Sequence, residues 1–223
     1  MTVPTHHPTP EMVLAYSNGG LGEAESLIVA VHLALCPDCR QVANLCDCVG
    51  GNMLEAAPAA AVSTSCRDKI FAAIGCDKQE NSMPPLPIPP DCFIPEPLRG
   101  YLNGASCRAS VRQLVWTPLQ LGVAKYQIPL THGCRMRGAG AQLVQVKSGA
   151  DFPLAPAAPP SLLLVLCGVL EAGAVRYHAG DFLTAQAMRA GDEDCFCLMV
   201  TSGPECPVTG RIKRWLKALV RCR

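Results

Sequence analysis

The chain has 223 residues, is 49% hydrophobic but only 5% aromatic, and carries 19 Lys/Arg against 18 Asp/Glu for a net charge of +1. This is enough for one large or two small domains with an aliphatic core, and no run of about 18 apolar residues is free of Pro, Gly or charge, so no transmembrane helix is expected. The start, Met1 to His6, lacks a basic region followed by an apolar one, which excludes a signal peptide and sets a cytoplasmic expectation; the fourteen cysteines then read as reduced thiols, mostly small buried hydrophobes.

The charge is unevenly spread. Residues 1–80 hold four Lys/Arg and nine Asp/Glu, a balance of −5, and the remainder holds fifteen and nine, a balance of +6. An acidic N-terminal part argues against nucleic acid as its partner and favours a basic protein surface.

Thr9-Pro10-Glu11 predicts a helix start, and Asn18-Gly19-Gly20 its end, giving a short first helix over 10–17. A second helix is predicted from about Gly22 to Leu35, with Glu23 and Glu25 at its positive end. Leu27, Ile28, Val29, Val31, Leu33 and Leu35 make it apolar nearly all round, so other helices or a partner must cover it. A third helix starts at Pro37, and Cys39, Val42, Ala43, Cys46, Val49 and Met53 predict one buried stripe along it.

The stretch His32-Leu33-Ala34-Leu35-Cys36-Pro37-Asp38-Cys39 is the chemical centre of this part. His32 and Cys36 are four apart and share a helix face, and Pro37 suits the first turn of the next helix, which brings Cys39 close to Cys36. With an imidazole from the upstream His6-His7 pair, two thiolates and two neutral imidazoles make a tetrahedral Cys2His2 zinc site of net charge zero. All four positions are filled by protein, so the site is structural and leaves no place for an activated water.

Residues 55–63 form an Ala/Pro linker. Ser65-Cys66-Arg67-Asp68 then opens a fourth helix with an apolar edge of Ile70, Phe71 and Ile74, ended by Gly75 and free to embrace something other than the first three. Residues 81–98 are Pro-rich, which excludes helix and central strand and predicts a stiff inter-domain linker.

Beyond it the pattern changes to strands: Val115–Thr117, Val123–Leu130, an alternating Ala141–Lys147, a continuous apolar run Ser161–Leu170 buried on both faces, then Val175–Tyr177, Asp181–Thr184 and Cys195–Thr201. Many short strands with Gly, Pro and Asp turns predict an antiparallel sandwich or barrel. A final helix over about Thr209–Val220 caps it.

The pattern H-x24-H-x3-C-x2-C, formed by His7, His32, Cys36 and Cys39 on a short helical bundle, resembles the zinc-binding anti-sigma domain of bacterial ECF sigma-factor regulators. An acidic zinc helical domain, a Pro-rich linker and an all-β domain together resemble the ChrR-type subset, whose second domain is a cupin. The phrases Leu14-Ala15-Tyr16, Val31-His32-Leu33, Val49-Gly50-Gly51, Ala179-Gly180-Asp181 and Asp194-Cys195-Phe196-Cys197-Leu198 fit that type. The resemblance implies a zinc-organised bundle that binds an ECF sigma factor and blocks its access to core RNA polymerase. It also implies His7, His32, Cys36 and Cys39 as ligands, with His6 an alternative to His7.

The fold expected is therefore α+β: a small all-α zinc-binding helical bundle over residues 1–80, a Pro-rich linker over 81–98, and an all-β cupin-like barrel with a C-terminal helix over 99–223. The cupin half departs from its family. Ala155 and Ala157 stand at the H-x-H positions, Ser161 at the Glu position, and no His lies in Ala185–Gly191. His132 and His178 fall elsewhere and read as surface or turn residues. Because Ala cannot ligate a metal and Ser is a poor substitute for a carboxylate, no cupin metal and no cupin-type enzyme activity are expected. Two other classes stay open at this point: a thiol-based redox sensor using Cys46/Cys48 or the same-face pair Cys195/Cys197, and a metal-dependent cupin enzyme. Cys167, in an apolar run, reads as inert.

Overall fold

The computed structural model describes residues 3–76, 94–102, 114–130, 140–152 and 161–201. The expected C-terminal helix, His132, Ala155, Ala157 and most of the Pro-rich segment lie outside the described residues.

Helix α1 spans Pro10–Ser17. The Thr9 hydroxyl accepts a hydrogen bond from the Met12 N–H, and Gly19 at φ +69° turns the chain out, which confirms both ends of the predicted helix. Helix α2 spans Glu23–Leu35, with the Glu25 carboxylate reaching back to the Gly22 N–H. Helix α3 spans Pro37–Glu55 and meets α2 at a bend of 118°. Cys36 sits in that bend in extended conformation, its sulfur accepting from the Cys39 N–H. No single described helix is long and apolar enough to cross a membrane.

Helix α4 spans Thr64–Cys76 and runs one residue past Gly75, where the sequence predicts its end. Helix α5 spans Glu96–Leu102 and corrects the expectation that 81–98 excludes helix. Pro97 lies in its first turn, where a missing N–H breaks no helical bond, so Pro permits a helix start here rather than forbidding the helix. Leu98 is fully buried.

Ten strands follow among the described residues: β1 Thr117–Gln120, β2 Val123–Ile128, β3 Gly140–Val146, β4 Asp151–Phe152, β5 Ser161–Cys167, β6 Leu170–Ala172, β7 Val175–Tyr177, β8 Phe182–Thr184, β9 Met188–Ala190 and β10 Cys195–Thr201. They form a six-stranded sheet in the order β1-β2-β3-β10-β5-β8 and a four-stranded sheet in the order β4-β9-β6-β7, with every pairing antiparallel. β7 and β10 have the expected bounds, β3 is shifted by one residue, β2 and β8 are shorter, β1 overlaps its expected range only at Thr117, the run Ser161–Leu170 is divided between β5 and β6, and the short β4 and β9 escaped the sequence reading.

Two cores explain the hydrophobic pattern. Val144, Val146, Leu163, Val165, Cys195 and Cys197 point between the sheets with Phe152, Leu170 and Met188. The alternate residues of the same strands, Ala141, Leu143, Leu164, Leu198 and Val200, join Val13, Leu27, Ile28, Val31 and Leu98 in a second core. Helix α2 thus packs on the outer face of the larger sheet, against β5 and β10, with α1, α3 and α5 around it. This is why Ser161–Leu170 reads as continuously apolar: β5 is covered by the opposing sheet on one side and by helices on the other. The same burial overrides the alternation expected in β3.

The buried stripe expected along α3 holds only at its N-terminal end. Cys39 and Ala43 are buried and Cys46 is half-buried, but Val42, Val49 and Met53 are exposed, as are Leu45 and Leu54. A 3-4 spacing marks an apolar face without saying what covers it, and nothing within the described residues does so here.

Candidate metal centre

The four residues of the predicted zinc set converge. The ligand atoms of His7, His32, Cys36 and Cys39 all lie within 4.8 Å of one another. His7 Nδ1 is 3.4 Å from the Cys36 sulfur and 3.4 Å from the Cys39 sulfur. Tetrahedral ligands around zinc at usual bond lengths stand about 3.3–3.8 Å apart, and the two His7–sulfur spacings fall in that range.

Each side chain is delivered by a different local feature. His32 comes from the last turn of α2, Cys36 from the interhelical bend, Cys39 from the first turn of α3, and His7 from the extended segment before α1. The rings of His7 and His32 meet edge to face at 5.6 Å between centroids. His6 is drawn away from the cluster: its ring packs on Tyr177 at 4.7 Å, and its Nδ1 lies 3.5 Å from Asp181 Oδ2.

His32 is fully buried. Its Nδ1 is 2.9 Å from the Gly180 carbonyl, which can only accept, so Nδ1 carries the proton. Nε2 then presents a lone pair and has no hydrogen-bond partner. A buried polar atom left unpaired costs about 1–3 kcal/mol, and a metal ion at the centre of the cluster removes that cost. Burial also lowers the His32 pKa to about 4, opposed in part by the Gly180 hydrogen bond, so the ring is neutral near pH 7, as a ligand must be. In the metal-free cluster, burial and then the neighbouring Cys36 push the Cys39 thiol up to about 12. A divalent cation reverses that penalty by compensating both thiolates. The donor set of two sulfurs and two nitrogens, three of its residues buried and His7 on the exposed side, fits zinc in a structural role.

The sequence reading missed the barrel's part in this cluster. Gly180 and Asp181 occupy the turn between β7 and β8, and Asp181 is almost fully buried. The phrase Ala179-Gly180-Asp181 fits the resemblance drawn from the sequence, but nothing in the sequence links it to the histidines.

The other candidate residues are placed as follows. Cys195 and Cys197 are fully buried between the sheets with sulfurs 3.6 Å apart, and the hydrogen bond shared with Cys195, together with burial, raises the Cys197 thiol well above its ordinary value. Cys167 is half-buried, and desolvation raises its thiol too. Cys48 is exposed and Cys46 half-buried on α3. Ser161 is buried at the start of β5, and His178 is exposed in the turn after β7.

No protein-family model matches the sequence. The chain is 31% identical over 205 residues to the anti-sigma-E factor ChrR of Cereibacter sphaeroides, an alignment spanning 89% of this chain and 90% of that protein. It also matches the crystal structure of Rhodobacter sphaeroides SigE in complex with the anti-sigma ChrR, at a TM-score of 0.69 and 28% identity over 90% of this chain and 100% of the matched one. A cupin 2 conserved barrel domain protein from Salinispora arenicola gives a TM-score of 0.32 at 14% identity, over 48% of this chain and 94% of its own. By its near full-length likeness to the first of these relatives, this chain belongs to the family of the anti-sigma factor ChrR.

Proposed function

We propose that the helical bundle of residues 1–80 binds an ECF sigma factor and keeps it from core RNA polymerase. One structural zinc ion, held by His7, His32, Cys36 and Cys39, organises the bundle. The cupin-like barrel is a sensing or regulatory module without enzymatic activity, joined through the Pro-rich segment that α5 closes. The protein acts in the cytoplasm and makes no direct contact with nucleic acid or membrane.

The observation that carries this reading is the near full-length likeness to ChrR, whose crystal structure is a complex with SigE. The surface supports it. Leu45, Val49, Met53 and Leu54 on α3 and Ile70, Phe71 and Ile74 on α4 are large, apolar and exposed, Met53 and Leu54 to 72% and 78%. Exposed apolar side chains repeated along one helix, as on α3, suit a protein interface. The acidic balance of residues 1–80 as a whole suits a basic partner.

Co-expression with a cognate ECF sigma factor tests the proposal. A stable 1:1 complex that contains zinc and blocks assembly of the sigma factor with core polymerase is expected. A zinc-loaded protein that forms no such complex overturns it.

A further inference from the structure

The N-terminal segment that carries His7 has no helix or strand of its own, yet it is held tightly. Its anchor is a single carboxylate on the barrel. Asp181 Oδ1 accepts from the Thr5 N–H at 2.7 Å, the His6 N–H at 2.9 Å and the Thr5 hydroxyl at 3.3 Å. Its other oxygen accepts from the His178 N–H at 2.8 Å, which fixes the carboxylate in the turn. The Phe182 N–H returns a bond to the His6 carbonyl at 2.9 Å. Beside it, Gly180 has φ +96°, and a Cβ there would come within 2.5 Å of Pro4 Cγ, so only glycine lets the segment lie down on the turn. The same Gly180 offers its carbonyl to His32 Nδ1. The β7–β8 turn therefore bonds the His32 ring directly and holds the backbone of the two residues before His7.

We infer that Gly180 and Asp181 are positioning residues for the metal centre, so that the metal affinity of the helical bundle depends on the seating of the N-terminal segment on the barrel. The inference rests on the reading of His7, His32, Cys36 and Cys39 as the metal's ligands. Partners that orient metal-binding histidines typically change affinity 10- to 100-fold when removed. A His7 on a free tail would have to be ordered at the moment of binding; seated by Asp181, it is ordered beforehand. The coupling is reciprocal: a metal ion drawn to His7 holds the segment on the barrel, and displacement of the turn weakens the metal. This gives the barrel a physical route to a helical site whose ligands all lie outside it.

The test uses the full chain and zinc ion itself, with affinity read by competition against a chromophoric chelator. Asp181→Ala removes the anchor, and Thr5→Pro removes two of its donors from an exposed residue outside the barrel. Both should weaken zinc by about tenfold or more, and the double variant should lose no more than the larger single one, because both break the same contact. The absorption of the cobalt-substituted variants should shift away from that of the wild-type two-sulfur, two-nitrogen site as His7 drops out. His178→Ala, which leaves its backbone N–H in place, should match wild type. Unchanged affinity in both single variants overturns the inference. So does a loss in Asp181→Ala that Thr5→Pro does not share, since that places the effect in barrel folding. A wild-type chain that binds no zinc overturns the ligand assignment itself, and the inference with it.

Discussion

The Gly180 carbonyl on the barrel accepts a hydrogen bond at 2.9 Å from Nδ1 of His32 on α2, 148 residues away in sequence. This bond leaves Nε2 as the nitrogen available to the cluster. It also makes the metal centre a junction between the helices and the sheet rather than a property of the helices alone.

Removing the metal should loosen that junction. With zinc at 1,000 times its dissociation constant, binding stabilises the folded state by about 4 kcal/mol. Replacing Cys36 and Cys39 by Ser should lower the zinc content from one per chain to zero, reduce the thermal midpoint, and abolish the sigma-factor complex. Elemental analysis, thermal melting and co-purification measure the three effects on one sample.

Acid should act in the same direction through His32. Burial lowers its pKa to about 4 from an ordinary value of 6.5. Above pH 6.5 the ring is neutral in both folded and unfolded chains, and the stability is fully present. Below pH 6.5 the unfolded chain takes up the proton and the folded one does not, so stability falls until about pH 4. The metal-free protein should lose about 3 kcal/mol across that window from this group, seen as a falling urea midpoint. Replacing His32 by Gln should flatten that part of the profile.

The exposed apolar face of α3 and α4 should matter for binding and not for folding. Met53→Asp and Phe71→Asp alter exposed side chains, so the unfolding free energy should stay within about 0.5 kcal/mol of wild type. Affinity for the sigma factor should fall by about tenfold or more, as for side chains that carry an interface. Parallel denaturation and titration experiments separate the two.

The seam between helices and sheet should behave as core. Leu164 is fully buried on the outer face of β5 in the cluster that includes α2. Leu164→Ala should cost about 2–5 kcal/mol, whereas Leu121→Ala, at a side chain 98% exposed, should change stability by less than about 0.5 kcal/mol. Denaturant midpoints check both.

Where local chemistry decides structure, the sequence was legible. Thr9-Pro10-Glu11 and Asn18-Gly19 bound α1 correctly because caps act over one turn. His32, Cys36 and Cys39 converge because helix periodicity and a Pro-started turn bring them together. The α3 stripe failed because apolar spacing reports a face to be covered and is silent on whether the cover belongs to the chain or to another protein. The helix at Glu96–Leu102 failed because Pro was read as a breaker when it stood in the first turn.

The sequence by itself determined the candidate donor residues, their spacing and the α-then-β order of the chain. Those follow from covalent neighbours and short-range periodicity. The tertiary structure decided which of His6 and His7 joins the cluster, what covers α2 and β5, and that Asp181 anchors the segment carrying His7. These depend on contacts between residues more than a hundred positions apart, which only the packing of the helices on the sheet brings within hydrogen-bond range.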